Sequence, residues 1–163
     1  MHRPHSQRLT AKESLAYAQD ITGKPAQFRV IYGGMIVVDI GERRTETRRT
    51  RTGKLWKFEK PEFTLDIERN WQFRRGAAKF ADWSETKDAE LEKLLNSWDG
   101  SVISSCHISP RDGTVCFALD NGVDIVVDGQ NGNGILWLIT STQCQWNLIA
   151  SGNGQFSLRT EKK

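Results

Sequence analysis

The chain has 163 residues, with 23 Lys+Arg against 20 Asp+Glu, 37% hydrophobic and 26% charged. That length suits one domain, or two small halves sharing a core, and six Trp with seven Phe exclude wholesale disorder. No uncharged apolar run approaches the roughly 18 residues of a membrane-spanning helix, and the start, MHRPHSQRLT, lacks the apolar segment of a secretory signal, so a cytoplasmic protein with no membrane partner is expected.

The net charge of +3 conceals a split. Residues 1–81 carry 17 Lys/Arg and 9 Asp/Glu, net +8, whereas residues 82–163 carry 6 and 11, net −5. This predicts a basic side and an acidic side, suited to an acidic partner or to head-to-tail pairing as a homodimer.

In chain order, residues 1–9 read as a flexible basic lead with two His, two Arg and a Pro, and 10–163 as a single domain. Thr10 and Glu13 have the spacing of a capping box, which starts a short helix through about Asp20. Gly23 and Pro25 stop it. From Gln27 the apolar period changes to two: QFRVIY and MIVVDI flank Gly33-Gly34, a tight-hairpin signal. The polar stretch 41–54 reads as an arginine loop. KLWKFE, EFTLDIE and WQFR follow as strands. Ala77–Trp98 reads as helical, with Ser84 as N-cap and Leu91, Leu94, Leu95 and Trp98 on one face. The remainder reads as antiparallel strands: SVISSCHI and TVCFAL about Pro110–Gly113, VDIVVD after Asn121-Gly122, a glycine-rich loop over 128–134, then ILWLIT, CQWNLIA and QFSLR.

An apolar-Asp-Ile strand followed by a Trp-polar-apolar strand and a glycine occurs in both halves. The expected fold is therefore mainly β (α+β): a pseudo-twofold antiparallel domain of two repeats, about 27–76 and 100–160. A helix at about 84–97 joins them, and a short helix precedes them.

The strongest candidate surface is the basic segment with Arg43, Arg44, Arg48, Arg49, Arg51 and Lys54, followed by Trp56. Arginine forks match carboxylates and phosphates, and an exposed Trp anchors interfaces. The same residues suit an acidic protein or, as the alternative, a nucleic-acid backbone with base stacking on neighbouring aromatics. The bland reading is a solvated hairpin extension. Asp120, Asp124 and Asp128 could converge on a cation or an acid/base pair, but turn chemistry explains their positions better. Cys106, His107, Cys116 and Cys144 lack zinc spacing. A simple hairpin opposes His107 to Cys116 and Cys106 to Phe117, so Cys106 and Cys116 face opposite sides. Three cysteines without a signal read as reduced thiols. Glu85 and Lys87 mimic a nuclease ExK where helix capping suffices. No nucleophile elbow, zinc-protease or phosphate-loop motif is present. No catalytic residue, metal or cofactor is expected. Of the six Trp, at least four are expected in the core.

The stretch LLNSWDGSVISSCHISPRDGTVCFALDNGVDIVVDG…CQWNLIASG resembles small bacterial two-repeat β domains of uncharacterised function, akin to immunity proteins of bacterial toxin systems. The pattern touches Leu94, Leu95, Val102, Asn121-Gly122, Ile125, Trp146 and Leu148, over about residues 91–152. Asn96 stands where glycine is more usual. The resemblance implies a non-enzymatic protein that binds and neutralises a toxin or holds a subunit of a defence complex. It brings no catalytic residue with it.

Overall fold

A computed structural model describes residues 5–130 and 134–160. The expected lead is in part structured: His5–Leu9 forms β1, which pairs antiparallel with the last strand, His5 opposite Thr160 and Leu9 opposite Phe156. Backbone pairing alone places it. Only Leu9 is buried, so no alternation announces the strand. The capping box forms as its spacing predicts. Thr10 Oγ1 accepts the Glu13 N–H at 3.1 Å, and Glu13 Oε1 accepts the Thr10 N–H at 3.0 Å. It opens α1, Ala11–Ala18, which ends in a 3-10 turn over Gln19–Ile21.

β2 (Ala26–Ile31) and β3 (Met35–Ile40) make the expected hairpin, and both Gly33 and Gly34 adopt positive φ, 75° and 78°. The arginine segment is not a loop. It is β4 (Arg44–Arg49), paired with β5 (Leu55–Lys60) in a separate two-stranded ribbon. β6 (Phe63–Ile67) and β7 (Trp71–Arg75) follow.

The predicted helix from Ala77 is corrected at its start. Residues Ala78–Asp82 are β8, a hairpin partner of β7, and α2 spans only Asp88–Asn96. The ladder to β7, closed by the two-residue turn Gly76-Ala77, overrides the helical preference of the alanines. Ser84 is not the N-cap. Its hydroxyl donates to Asp82 Oδ1 at 3.0 Å within the preceding turn, and Lys87 stands at the cap without a side-chain bond. The apolar face of α2 is as expected: Leu91, Leu95 and Trp98 are buried, and Leu94 packs against them.

β9 (Ile103–Ile108), β10 (Val115–Leu119), β11 (Asp124–Val127), β12 (Ile135–Ser141), β13 (Trp146–Ser151) and β14 (Gln155–Thr160) complete the chain. Within the glycine-rich loop, residues 131–133 lie outside the described residues. No helix of the described chain is long and apolar enough to cross a membrane.

The strands form a seven-stranded antiparallel sheet, β1-β14-β13-β12-β6-β3-β2, and a five-stranded one, β8-β7-β11-β10-β9. Inward-facing positions of both sheets, with both helices, feed one apolar cluster. Trp137 of β12 is fully buried. Its ring meets Phe117 of β10 edge-on at 5.7 Å and lies 6.2 Å from Phe156 of β14. Trp71, Trp98 and Trp146 are buried as well, so four of the six Trp belong to the core.

Each sheet draws strands from both sequence halves: β1, β2, β3 and β6 with β12, β13 and β14 in the larger, and β7 and β8 with β9, β10 and β11 in the smaller. The segments matched as repeats include β6 and β11, one in each sheet. β6 lies between β12 and β3 in the larger sheet, and β11 between β10 and β7 in the smaller.

One end of the sandwich is closed by backbone alone. A Cβ on Gly129 would sit 2.4 Å from the Asp112 carbonyl oxygen, and one on Gly113 would sit 2.6 Å from Gly154 Cα. The Asn153 and Gly154 N–H groups donate to the Gly129 carbonyl across this contact. Only glycine permits so close an approach.

Because Trp137 bridges the sheets, Trp137→Ala is expected to lower unfolding free energy by about 3–5 kcal/mol. Urea denaturation measures this, and a loss below about 1 kcal/mol would show that the sheets are joined elsewhere.

Candidate nucleic-acid or protein interface on a basic ribbon

Residues 43–60 carry eight Lys/Arg and two Glu. Nearly all of them are exposed, including Leu55 at 61% and Trp56 at 58%. An isolated two-stranded ribbon is marginal in water, so its order needs local support. At the tip, Thr50 receives the Gly53 N–H on its carbonyl and the Lys54 N–H on its hydroxyl, at 2.9 and 3.1 Å. Along the shaft, Phe58 packs against Trp56 with ring centroids 5.0 Å apart. The Arg48 guanidinium and Lys60 Nζ also lie over the Phe58 ring, at 5.1 and 5.4 Å.

The root is clamped to the large sheet. Glu62 accepts Lys24 Nζ at 2.5 Å and the Glu42 N–H at 3.1 Å. Thr142 donates its hydroxyl to the Pro61 and Glu62 carbonyls at 2.6 and 2.9 Å. Lys24 first, and then the Glu42 amide, hold the Glu62 carboxyl below its ordinary value.

The structure divides the expected contact residues. Arg44 and Arg48 share one face with Trp56, through the pairs Arg44/Lys60, Glu46/Phe58 and Arg48/Trp56. Arg49, opposite Leu55, lies on the other face. Arg51 and Lys54 belong to the tip. Arg43 is largely committed: it donates to Gln27 Oε1 at 2.6 Å and Asp39 Oδ2 at 3.2 Å, and it lies 3.9 Å from Glu59.

The Arg48 face turns toward the outer side of the seven-stranded sheet. Arg48 and Lys60 line a cleft of about 310 Å³ with Thr140, Gln145 and Asn147 from β12, β13 and their connecting turn. Thr140 and Asn147 are cross-strand partners. They alternate with core positions Ile139 and Leu148, and therefore point away from the interior. The neighbouring outward row holds Val37, Asp66, Leu138 and Ile149. Val37 and Ile149 are buried although they lie outside the main core. Burial raises the Asp66 carboxyl above its ordinary value. Arg29 opposes the shift, and Glu68 and Asp39 add to it. Thr140, Gln145 and Asn147 escape a sequence reading, because only strand pairing brings them beside a ribbon more than 70 residues away. The alternation in MIVVDI and FTLDI does mark Asp39 and Asp66 as outward-facing.

The other candidates disperse. Asp120 Oδ1 accepts the Val102 N–H at 3.0 Å, and Asp128 Oδ1 accepts the Gln130 N–H at 2.9 Å; both are turn and strand-end bonds. Asp124 stands opposite Arg74. Among the described residues no group of three or more His, Cys, Asp or Glu gathers where it could hold a metal ion. Cys106 and His107 pair with Phe117 and Cys116 as the hairpin register predicts. Burial pushes the Cys106 thiol up to about 12, so it stays protonated and unreactive. Glu85 donates its N–H to Asp82 in the turn before α2. A second open cleft, of about 320 Å³, lies beside Trp83, where Lys79 and Asp82 pair at 2.7 Å.

Comparison with protein-family models, with curated proteins and with solved structures finds no match for this chain.

Two outcomes follow from the charges at this surface. Glu62, whose carboxyl is depressed, contributes stability that is fully present above its ordinary value of 4.5 and is lost as pH falls through the lowered folded value. Glu62→Gln is therefore expected to speed hydrogen exchange in β4 and β5 and to lower the thermal midpoint at pH 7. The gap from wild type should narrow as pH falls below 4.5. Asp66 has the opposite sign. Its raised carboxyl favours the fold below 3.8, and that contribution is lost as pH rises through the raised folded value. Asp66→Asn should thus raise the thermal midpoint at pH 7 and have little effect at about pH 3. A lower midpoint at pH 7 would contradict this account of Asp66.

Proposed function

We propose that the protein is a non-enzymatic cytoplasmic binding protein of the immunity or defence-associated type. It holds or neutralises an acidic partner protein with its basic ribbon. The observation that carries this reading is the ribbon itself, a projecting arm whose arginines, Leu55 and Trp56 face solvent. Arg and Trp are the side chains that most often anchor interfaces, and a concentration of charge raises the rate of encounter with an opposite surface. The open edges of β4 and β5 also offer backbone groups to an added strand. Resemblance to two-repeat immunity domains points the same way, and the two-repeat origin of the fold belongs to this proposal.

Affinity capture from the native host tests it. The wild-type protein is expected to retain an acidic protein that the triple variant Arg48→Glu, Arg49→Glu, Arg51→Glu binds more than about tenfold more weakly. Undiminished binding by the triple variant would remove the ribbon from the interface.

One observation favours a second reading, nucleic-acid binding. A two-stranded ribbon fits the major groove of a DNA duplex, and this one carries a net +6 over residues 43–60. Gel shift with random single- and double-stranded DNA and RNA at low salt separates the two. The partner-protein reading predicts no shifted band, and a steeply salt-dependent complex would replace it with the nucleic-acid reading.

A further inference from the structure

We propose that the cleft between the ribbon and the β12–β13 turn is a carboxylate site, which seats one acidic side chain of the partner protein between Arg48 and Lys60. The proposal deepens the partner-protein reading and rests on it.

The cleft of about 310 Å³ has room for one side chain with a few waters of roughly 30 Å³ each, but not for a folded segment. Its roof is cationic and pre-placed. Phe58 lies under both Arg48 and Lys60, so less rotamer freedom is lost when an anion arrives. Its floor consists of neutral groups able to donate: the Thr140 hydroxyl and the Gln145 and Asn147 amides. Among the described residues, none of these three side chains is engaged in a hydrogen bond. The adjacent hydroxyls are already used. Thr142 donates to the ribbon root, and Ser141, whose Oγ accepts the Cys144 N–H at 3.2 Å, is buried. Gln145 is held at φ +55°, an uncommon conformation for a side-chain-bearing residue, at the point where the turn meets the cleft.

Glu46 selects the ligand. It lies 3.4 Å from Lys60, so Arg48, Lys60 and Glu46 together present one positive charge, the match for a single carboxylate. A nucleic-acid backbone brings a row of phosphates, and Glu46 on the same face repels the additional charges.

Titration with an acetylated, amidated pentapeptide Gly-Glu-Glu-Glu-Gly at low ionic strength tests the site, followed by the side-chain amide NMR signals of Gln145 and Asn147. The Gln counterpart of the peptide and an oligothymidylate serve as the other arms. The Glu peptide alone is expected to move both signals. Binding should weaken at least about tenfold in Arg48→Gln and Lys60→Gln, and less than about twofold in Arg51→Gln at the ribbon tip. Asn147→Asp, which leaves the ribbon intact, places a charge in the floor and should also weaken binding about tenfold. If the Glu peptide binds but Arg51→Gln weakens it as much as the cleft variants do, the cleft is wrong and the ribbon surface stands. If the Glu and Gln peptides behave alike, the carboxylate site is overturned. If oligothymidylate binds in preference to the peptide, the partner-protein reading falls together with the site.

Discussion

Two sheets share one apolar interior here, and the meeting of Trp137 with Phe117 is where that sharing is enforced. An indole ring buried between facing strands supplies more contact area than any aliphatic residue could, and it fixes the spacing of the layers. The two halves of the chain are interleaved to satisfy it. Each sheet draws strands from both, so neither half has a separate interior to fold around. The helices serve the same interior from its margins. α2 packs on β2 and adds Leu91 and Leu95 to the cluster, and the segment after it supplies Asp99, whose carboxylate accepts the Phe28 N–H at that sheet edge.

The ribbon is the part that this constraint does not explain. No side chain of β4 or β5 enters the core, and the like charges along it oppose its own formation. It survives because Phe58 organises two cations and because its root is bonded to Glu62, Thr142 and Asp39. Asp66 is a second departure from what folding alone would favour, a half-buried carboxylate on the sheet face that the ribbon adjoins. Two local conflicts on one side of a well-packed domain are the pattern expected where selection acts on binding as well as on the fold.

Legibility in the sequence followed the range of the interactions. The hairpins at Gly33-Gly34 and Asn121-Gly122 and the cap at Thr10 and Glu13 rest on contacts within a few residues, and all were readable. β1 and β8 were not. β1 is fixed by β14 at the far end of the chain, and β8 by a ladder that outweighs its alanine-rich composition. The candidate surface shows the same division. Its cations stand in one run and are plain in the sequence. Their distribution over two faces, the commitment of Arg43 to Asp39 and Gln27, and the polar floor at Thr140 and Asn147 depend on pairings that the local pattern does not encode.

The separation of ribbon from core also bears on how such a protein changes over time. At the end closed by Gly113 and Gly129 an added Cβ would meet backbone atoms at 2.6 and 2.4 Å, so drift there is punished at once. Along residues 43–60 the interior registers almost nothing. Substitutions there can redraw charge and shape while the packed cluster keeps every one of its side chains.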